Sequence, residues 1–251
     1  MEEWSLRLTA RKVRTPEGVP ALVVSDTERP PGPLVLVVHG LRSRKERHWE
    51  LCLELARAGF TAAALDAVGH GERATTEEAA ALGQPDTSPA IAALFGRAIV
   101  ETVADLGVVA RYLGYVSYGV IGHSMGGYVA LKTACTDSAV AAAVSISGNP
   151  DWAGQAEAAG LPTDVVAAVR GQSPLTLADR FYPRPLLMLH GDADQVVPIS
   201  GAQSLYHYLR DGPYSATPEA VSLVTYPGVG HDFLPDMVHR SVDWMQRFLK
   251  P

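Results

Sequence analysis

Cysteine is scarce in this chain: Cys52 and Cys135 are the only two among 251 residues. Two thiols cannot supply the framework of bridges that staples small secreted domains, and each sits in a helix-like apolar stretch, which marks it as a buried free thiol. Long hydrophobic runs are also missing; no apolar stretch approaches the ~18 residues of a membrane span, so no membrane partner is expected. The opening residues, MEEWSLRLTARKVRTPEG, carry acid where a secretory signal is basic and lack an apolar core, and a cytoplasmic location is expected from them. Positive charge is in deficit, with 21 Lys and Arg against 27 Asp and Glu and a net charge of −6. That balance offers no basic face for nucleic acid. Internal repeats and low-complexity linkers are absent too.

At 47% hydrophobic and 19% charged residues, the chain fits one globular domain over residues 1–251 with room for a sizeable core. Short apolar runs stopped by Gly or a turn recur at LVLVVHG (34–40), TAAALD (61–66), YGVIGH (118–123), AVAAAVSIS (139–147), PLLMLHG (185–191) and VSLVTYPG (221–228). Continuous apolar runs of this length suit strands buried on both faces of a parallel sheet. Between them lie helical patterns: residues 46–59, the stripe Ile91, Leu94, Phe95, Ile99, Val103, Leu106, Ala110 and Leu113, and the C-terminal Val238, Val242, Met245 and Leu249. The alternation predicts an α/β fold, an open, mostly parallel sheet of about eight strands with helices on both faces. WSLRLTA and PALVVSD alternate less cleanly and fit an antiparallel edge hairpin turning at Pro16, Glu17 and Gly18.

Ligands of such sheets bind beyond the carboxyl ends of the strands, so the residues just after each strand carry the functional information. Those positions hold His39-Gly40-Leu41, the segment Asp66 to Gly71, Ser124 within GHSMGG, two carboxylates (Asp192 and Asp194), and His231 after PGVG. A hydroxyl, an acid and an imidazole thus follow one another with room for strand and helix units between them. A serine hydroxyl is a poor nucleophile at neutral pH; it needs an imidazole to take its proton and a carboxylate to orient that imidazole. His207 and His239 fall in helical patterns and read as surface residues. His231, Asp232, Asp236 and His239 make a poor metal set.

VVHGL, DAVGHGER, GHSMGG, HGDADQVVP and PGVGHDF, in this order and at strand ends over nearly the whole chain, resemble the α/β-hydrolase family. The likeness is to the small, lidless serine esterases of its dienelactone-hydrolase and prolyl-oligopeptidase-like branch. The dienelactone hydrolases proper use cysteine where Ser124 stands, so their substrate is not carried over, and there is no room for the propeller of the prolyl peptidases. The resemblance implies Ser124 as nucleophile on a strained strand-to-helix turn, with Gly122 and Gly126 allowing close backbone approach. It implies Asp194 rather than Asp192 as the acid, His231 as the base, and the backbone amides of Leu41 and Met125 as the oxyanion hole. His123 reads as a packing residue beside the turn, and Asp66 to Arg73 as a brace beneath the loops.

Arg42, Ser43, Arg44 and Lys45 are expected to form a solvated turn paired with Glu46 or Glu50, rather than a site for an anionic group. Residues 149–184 leave space for only two short helices as a cap, and with 75–96 they roof a small pocket, Trp152 and Leu161 being candidate walls. The expected activity is hydrolysis of small acyl esters through an acyl-enzyme, with a small-molecule ester as partner and neither metal nor organic cofactor. An acyltransferase or perhydrolase, or a small peptidase, would use the same three residues; a non-catalytic binding relative would usually have lost one of them.

Overall fold

The computed structural model describes residues 7–85 and 88–249. Eight strands form one sheet in the order β1-β2-β4-β3-β5-β6-β7-β8. They are β1 (Leu8–Arg14), β2 (Pro20–Asp26), β3 (Leu34–Val38), β4 (Thr61–Leu65), β5 (Tyr118–His123), β6 (Val140–Ile146), β7 (Leu186–Gly191) and β8 (Val221–Tyr226). From β4 through β8 every neighbouring pair is parallel, while β1 and β2 are antiparallel additions at one edge.

Parallel neighbours need crossovers, and the intervening segments supply them as helices. These are α1 (Trp49–Arg57), α2 (Thr76–Leu82), α3 (Pro89–Tyr112), α4 (Met125–Thr136), α5 (Trp152–Ala158), α6 (Thr163–Arg170), α7 (Ser200–Asp211) and α8 (Pro235–Phe248). The strand period of two divides each buried run between two cores. Leu34, Leu36 and Val38 of β3 join the core under α3, α4 and α7, whereas Val35 and Val37 join the one under α1 and α8. A run with no polar alternation is the natural sequence for such a strand, because neither face meets water.

The edge hairpin forms, but its first strand is displaced from the predicted 4–10. Pairing runs from Leu8 opposite Asp26 to Arg14 opposite Pro20, closing on the turn at Pro16 to Gly18; residues 4–6 lie outside the described residues. A tight turn recruits the residues next to it, so Lys12 and Arg14 enter the strand despite their charge. As an edge strand it tolerates them, and exposed charge there discourages pairing with another chain.

The interval 149–184 holds α5, α6 and one short turn of helix (Ala178–Phe181), a cap as small as expected. Leu161, an expected pocket wall, is instead 46% exposed in the turn between α5 and α6. Among the described residues no helix is long and apolar enough to cross a membrane.

Candidate active site

Ser124 stands between the last residue of β5 and the first of α4, with φ 55° and ψ −120°. A non-glycine residue held there is strained, and the surroundings hold it. A Cβ on Gly122 would lie 1.9 Å from the carbonyl oxygen of Gly126, and one on Gly126 would lie 2.1 Å from that of Val38. No side chain other than hydrogen lets the strand, the turn and β3 approach so closely. The Ser124 amide donates to Ile146 O on the neighbouring strand at 2.8 Å. Its hydroxyl makes no capping bond to α4 and is left for another partner.

That partner is His231, brought over the sheet edge by the loop after β8. Its Nε2 lies 2.8 Å from Ser124 Oγ, and its Nδ1 lies 2.7 Å from Asp194 Oδ2. A carboxylate only accepts, so Nδ1 carries the proton and Nε2 is free to accept from the serine hydroxyl. Asp194, buried just beyond β7, has its other oxygen filled by the amides of Val196 and Val197 at 2.9 and 2.8 Å. Burial alone would raise its pKa; the Val197 amide, the His231 imidazole and the Val196 amide outweigh that and hold it below the usual carboxylate range. His190 lies behind it, Nε2 at 3.5 Å from Oδ2, and is kept neutral chiefly by burial. Asp192 points elsewhere: it is exposed and accepts from the Gly228 amide at 2.7 Å, pinning the loop that carries His231. His207 and His239 are exposed on α7 and α8.

The Met125 amide follows Ser124 directly, and the Leu41 amide follows Gly40, where an added Cβ would lie 3.2 Å from Ser124 Cβ. Neither meets a hydrogen-bond partner among the described residues, and the first belongs to the unsatisfied amides that open every helix. The loop holding Leu41 is shaped from below. His39 Nδ1–H donates to Gly40 O at 2.7 Å, while its Nε2 accepts from the Ala67 amide at 3.1 Å.

At Lys45 the structure corrects the expected solvated turn. Lys45 is 1% exposed; its amide donates to Asp66 Oδ1 and its ammonium to Asp66 Oδ2, both at 2.8 Å, with Glu72 Oε1 at 2.6 Å. Burial disfavours the ammonium, but the Asp66 and Glu72 carboxylates more than compensate and raise its pKa. The long methylene stem lets the charge travel inward to a carboxylate that would otherwise be buried alone. Asp66 also receives the Glu72 amide at 3.0 Å, consistent with the bracing expected of 66–73. Arg42, at φ 59°, donates to the carbonyls of Leu82 and Gln84 at 2.7 and 2.6 Å, tying the loop to the end of α2. Arg44 keeps the predicted character, exposed and 3.7 Å from Glu46, and Lys45 makes the expected pairing with Glu46 as well, at 3.3 Å, but from a buried position. Arg42, Arg44, Glu46 and Arg47 help line an open cleft of about 760 Å³ whose lining includes neither Ser124 nor His231.

Sequence reasoning missed two neighbours of the site. His48 is 4% exposed, and Phe233 packs against it with ring centroids 5.4 Å apart. The signal for His48 was present, since it shares one helical stripe with the buried Leu51, Cys52 and Leu55. Tyr128, one turn after Ser124, was also passed over. It stacks on Trp152 at 6.3 Å, meets Phe95 edge-on at 5.3 Å and donates to Gln155 Oε1 at 2.8 Å, joining α4 to the cap. The two thiols are buried, and burial pushes Cys52 up to about 12 and Cys135 up to about 11, so neither is an activated nucleophile.

A serine aimed by a strained turn at the carboxyl edge of a mostly parallel eight-stranded sheet defines the α/β-hydrolase class. Solved structures share the fold: TT1662 from Thermus thermophilus matches with a TM-score of 0.75 at 23% identity, covering 98% of this chain and 99% of that one. The Pyrococcus furiosus esterase Pf2001 matches with a TM-score of 0.64 at 18% identity, covering 99% and 97%. A relative described as "Putative esterase YitV", from Bacillus subtilis (strain 168), is 27% identical over 259 residues, or 94% of this chain and 98% of its own. The model of the dienelactone hydrolase family matches residues 19–243. The chain belongs to that family, and it is an enzyme, a hydrolase of carboxylic esters.

Proposed function

We propose that the protein is a serine carboxylesterase that cleaves small acyl esters through an acyl-enzyme on Ser124. The observation that carries this reading is the hydrogen-bonded chain from Ser124 Oγ to His231 to Asp194, at 2.8 and 2.7 Å. His231 Nε2 takes the hydroxyl proton as Oγ attacks the ester carbonyl, and the Leu41 and Met125 amides receive the oxyanion. The imidazolium, steadied by Asp194, then protonates the leaving alcohol. Water repeats the sequence on the acyl-enzyme, delivering its proton to the same nitrogen and freeing Ser124.

The small cap supports a short acyl group. Each buried CH₂ gains about 0.8 kcal/mol only while apolar wall remains to receive it. Leu161 is too exposed to add wall, whereas Trp152 is half-buried against Tyr128, one turn after Ser124. The free, buried thiols accord with a reducing, cytoplasmic setting. The test is a p-nitrophenyl ester series of increasing chain length, with intact mass measured after organophosphate treatment. One adduct on Ser124 and a kcat/KM maximum between acetyl and roughly hexanoyl esters are expected. A folded protein labelled elsewhere, or not at all, would refute the serine mechanism; a preference for decanoyl esters would refute the small pocket.

A further inference from the structure

The imidazole of His231 does not stand free between its two hydrogen-bond partners. Its ring lies on that of His123, with centroids 5.6 Å apart and planes 30° apart. His123 in turn stacks on Phe233 at 5.2 Å and 30°, and His48 meets both of these rings edge-on. His123 immediately precedes Ser124, so the strained turn that presents the hydroxyl also sets the ring against which its base rests. Among the described residues neither His123 nor His48 makes an ion pair; the titratable groups facing His123 are His231, Asp194 and His48, and those facing His48 are His123, His39 and Arg47. His123 Nε2 and both ring nitrogens of His48 are shielded from solvent and meet no partner.

We propose that His123 is a positioning residue: a neutral aromatic face that holds the His231 ring in the plane shared by Ser124 and Asp194, and that stabilises the positive charge this ring gains as Ser124 gives up its proton. The proposal rests on the serine mechanism above. A cation over an aromatic face is attracted by the ring quadrupole, more strongly where water is excluded. A charged His123 would do the opposite and repel the imidazolium. Burial, helped by nearby His231, pushes His123 down to about 4, so the face stays neutral at working pH. The ring itself, rather than its unpartnered nitrogen, is then the working part.

Comparison of His123→Leu with His123→Phe separates ring from bulk. For His123→Leu, kcat should fall about fivefold at unchanged KM, and the acid limb of kcat/KM should move to lower pH by about half a unit, because the imidazolium loses its support. His123→Phe should restore most of both. A His123→Leu enzyme with wild-type kcat and acid limb, or a His123→Phe enzyme as impaired as His123→Leu, overturns the proposal. Should the leucine variant not fold, histidine NMR of the wild type answers: a His123 ring neutral down to about pH 5.5 supports the proposal, and one titrating above that overturns it. Organophosphate labelling of the same samples separates the two levels. No adduct on wild-type Ser124 sinks the serine mechanism, whereas an adduct with superimposable pH profiles sinks the stack alone.

Discussion

The candidate site has two sides built on different physics. On one side, Ser124, His231 and Asp194 are joined by directed hydrogen bonds from loops pinned to the sheet edge. On the other, the loop around Leu41 offers only backbone, and its shape depends on charges buried beneath it, Lys45 on Asp66, and on Arg42 reaching α2. Losing a group from the first side should abolish chemistry and leave the fold intact. Losing Lys45 from the second should cost the fold first, because it strands the Asp66 charge away from water.

The sharpest way to break this contrast is Ser124→Ala or His231→Ala, each expected to lower kcat by at least about 10³-fold with little change in thermal midpoint. A large fall in stability would show that the relay also holds the fold. Asp194→Asn should lose on the order of 10³- to 10⁴-fold, since the amide leaves His231 in the wrong tautomer. Asp192→Asn should stay near wild type, because its side-chain oxygen still accepts from the Gly228 amide; the reverse ranking in steady-state kinetics would move the acid.

On the second side, Lys45→Met leaves Asp66 buried without its ammonium and should cost about 3–5 kcal/mol, or roughly 10 °C in melting temperature. Lys45→Met/Asp66→Asn should recover part of that loss. A single variant that melts normally would return the turn to the solvated surface.

Acid should weaken the floor of the site as well. His39, His48 and His123 are pushed down by burial to about 4, 3 and 4. In the unfolded chain each takes a proton near 6.5, so their contribution to stability is present above that pH and is lost as pH falls towards 4, at up to about 1.4 kcal/mol per unit for each ring. Melting curves at pH 7.5 and 5.5 should show the fall, and His48→Phe should flatten it. The smallest effect is expected at Arg44, whose side chain is 72% exposed. Arg44→Ala should leave unchanged the ratio of rates for carboxylate-bearing and neutral esters of equal size; a selective loss for the charged ester would bring the arginine-lined cleft into the reaction.

Local sequence determined much of this protein. Runs such as LVLVV and VAAAVSI, apolar at successive positions, short and bounded by turns, suit strands covered on both faces, and their ends marked where candidate functional residues stand. The glycines around Ser124 disclosed the sharp turn because close backbone approach is a local steric demand. Family membership and fold were legible from those same segments.

What lies between elements was not. Nothing in RSRK tells that Lys45 turns inward while Arg44 remains in water, because the deciding partner, Asp66, is brought near only by the pairing of β3 with β4. The first strand slid toward its turn because β2 offered partners there. His48, His123 and Phe233 became one stack beside His231 only when the turn entering α1, the end of β5 and the loop after β8 met. Patterning along a chain reports burial and period; which charge meets which carboxylate, and which ring rests on which, is settled by distances that exist only in the folded state.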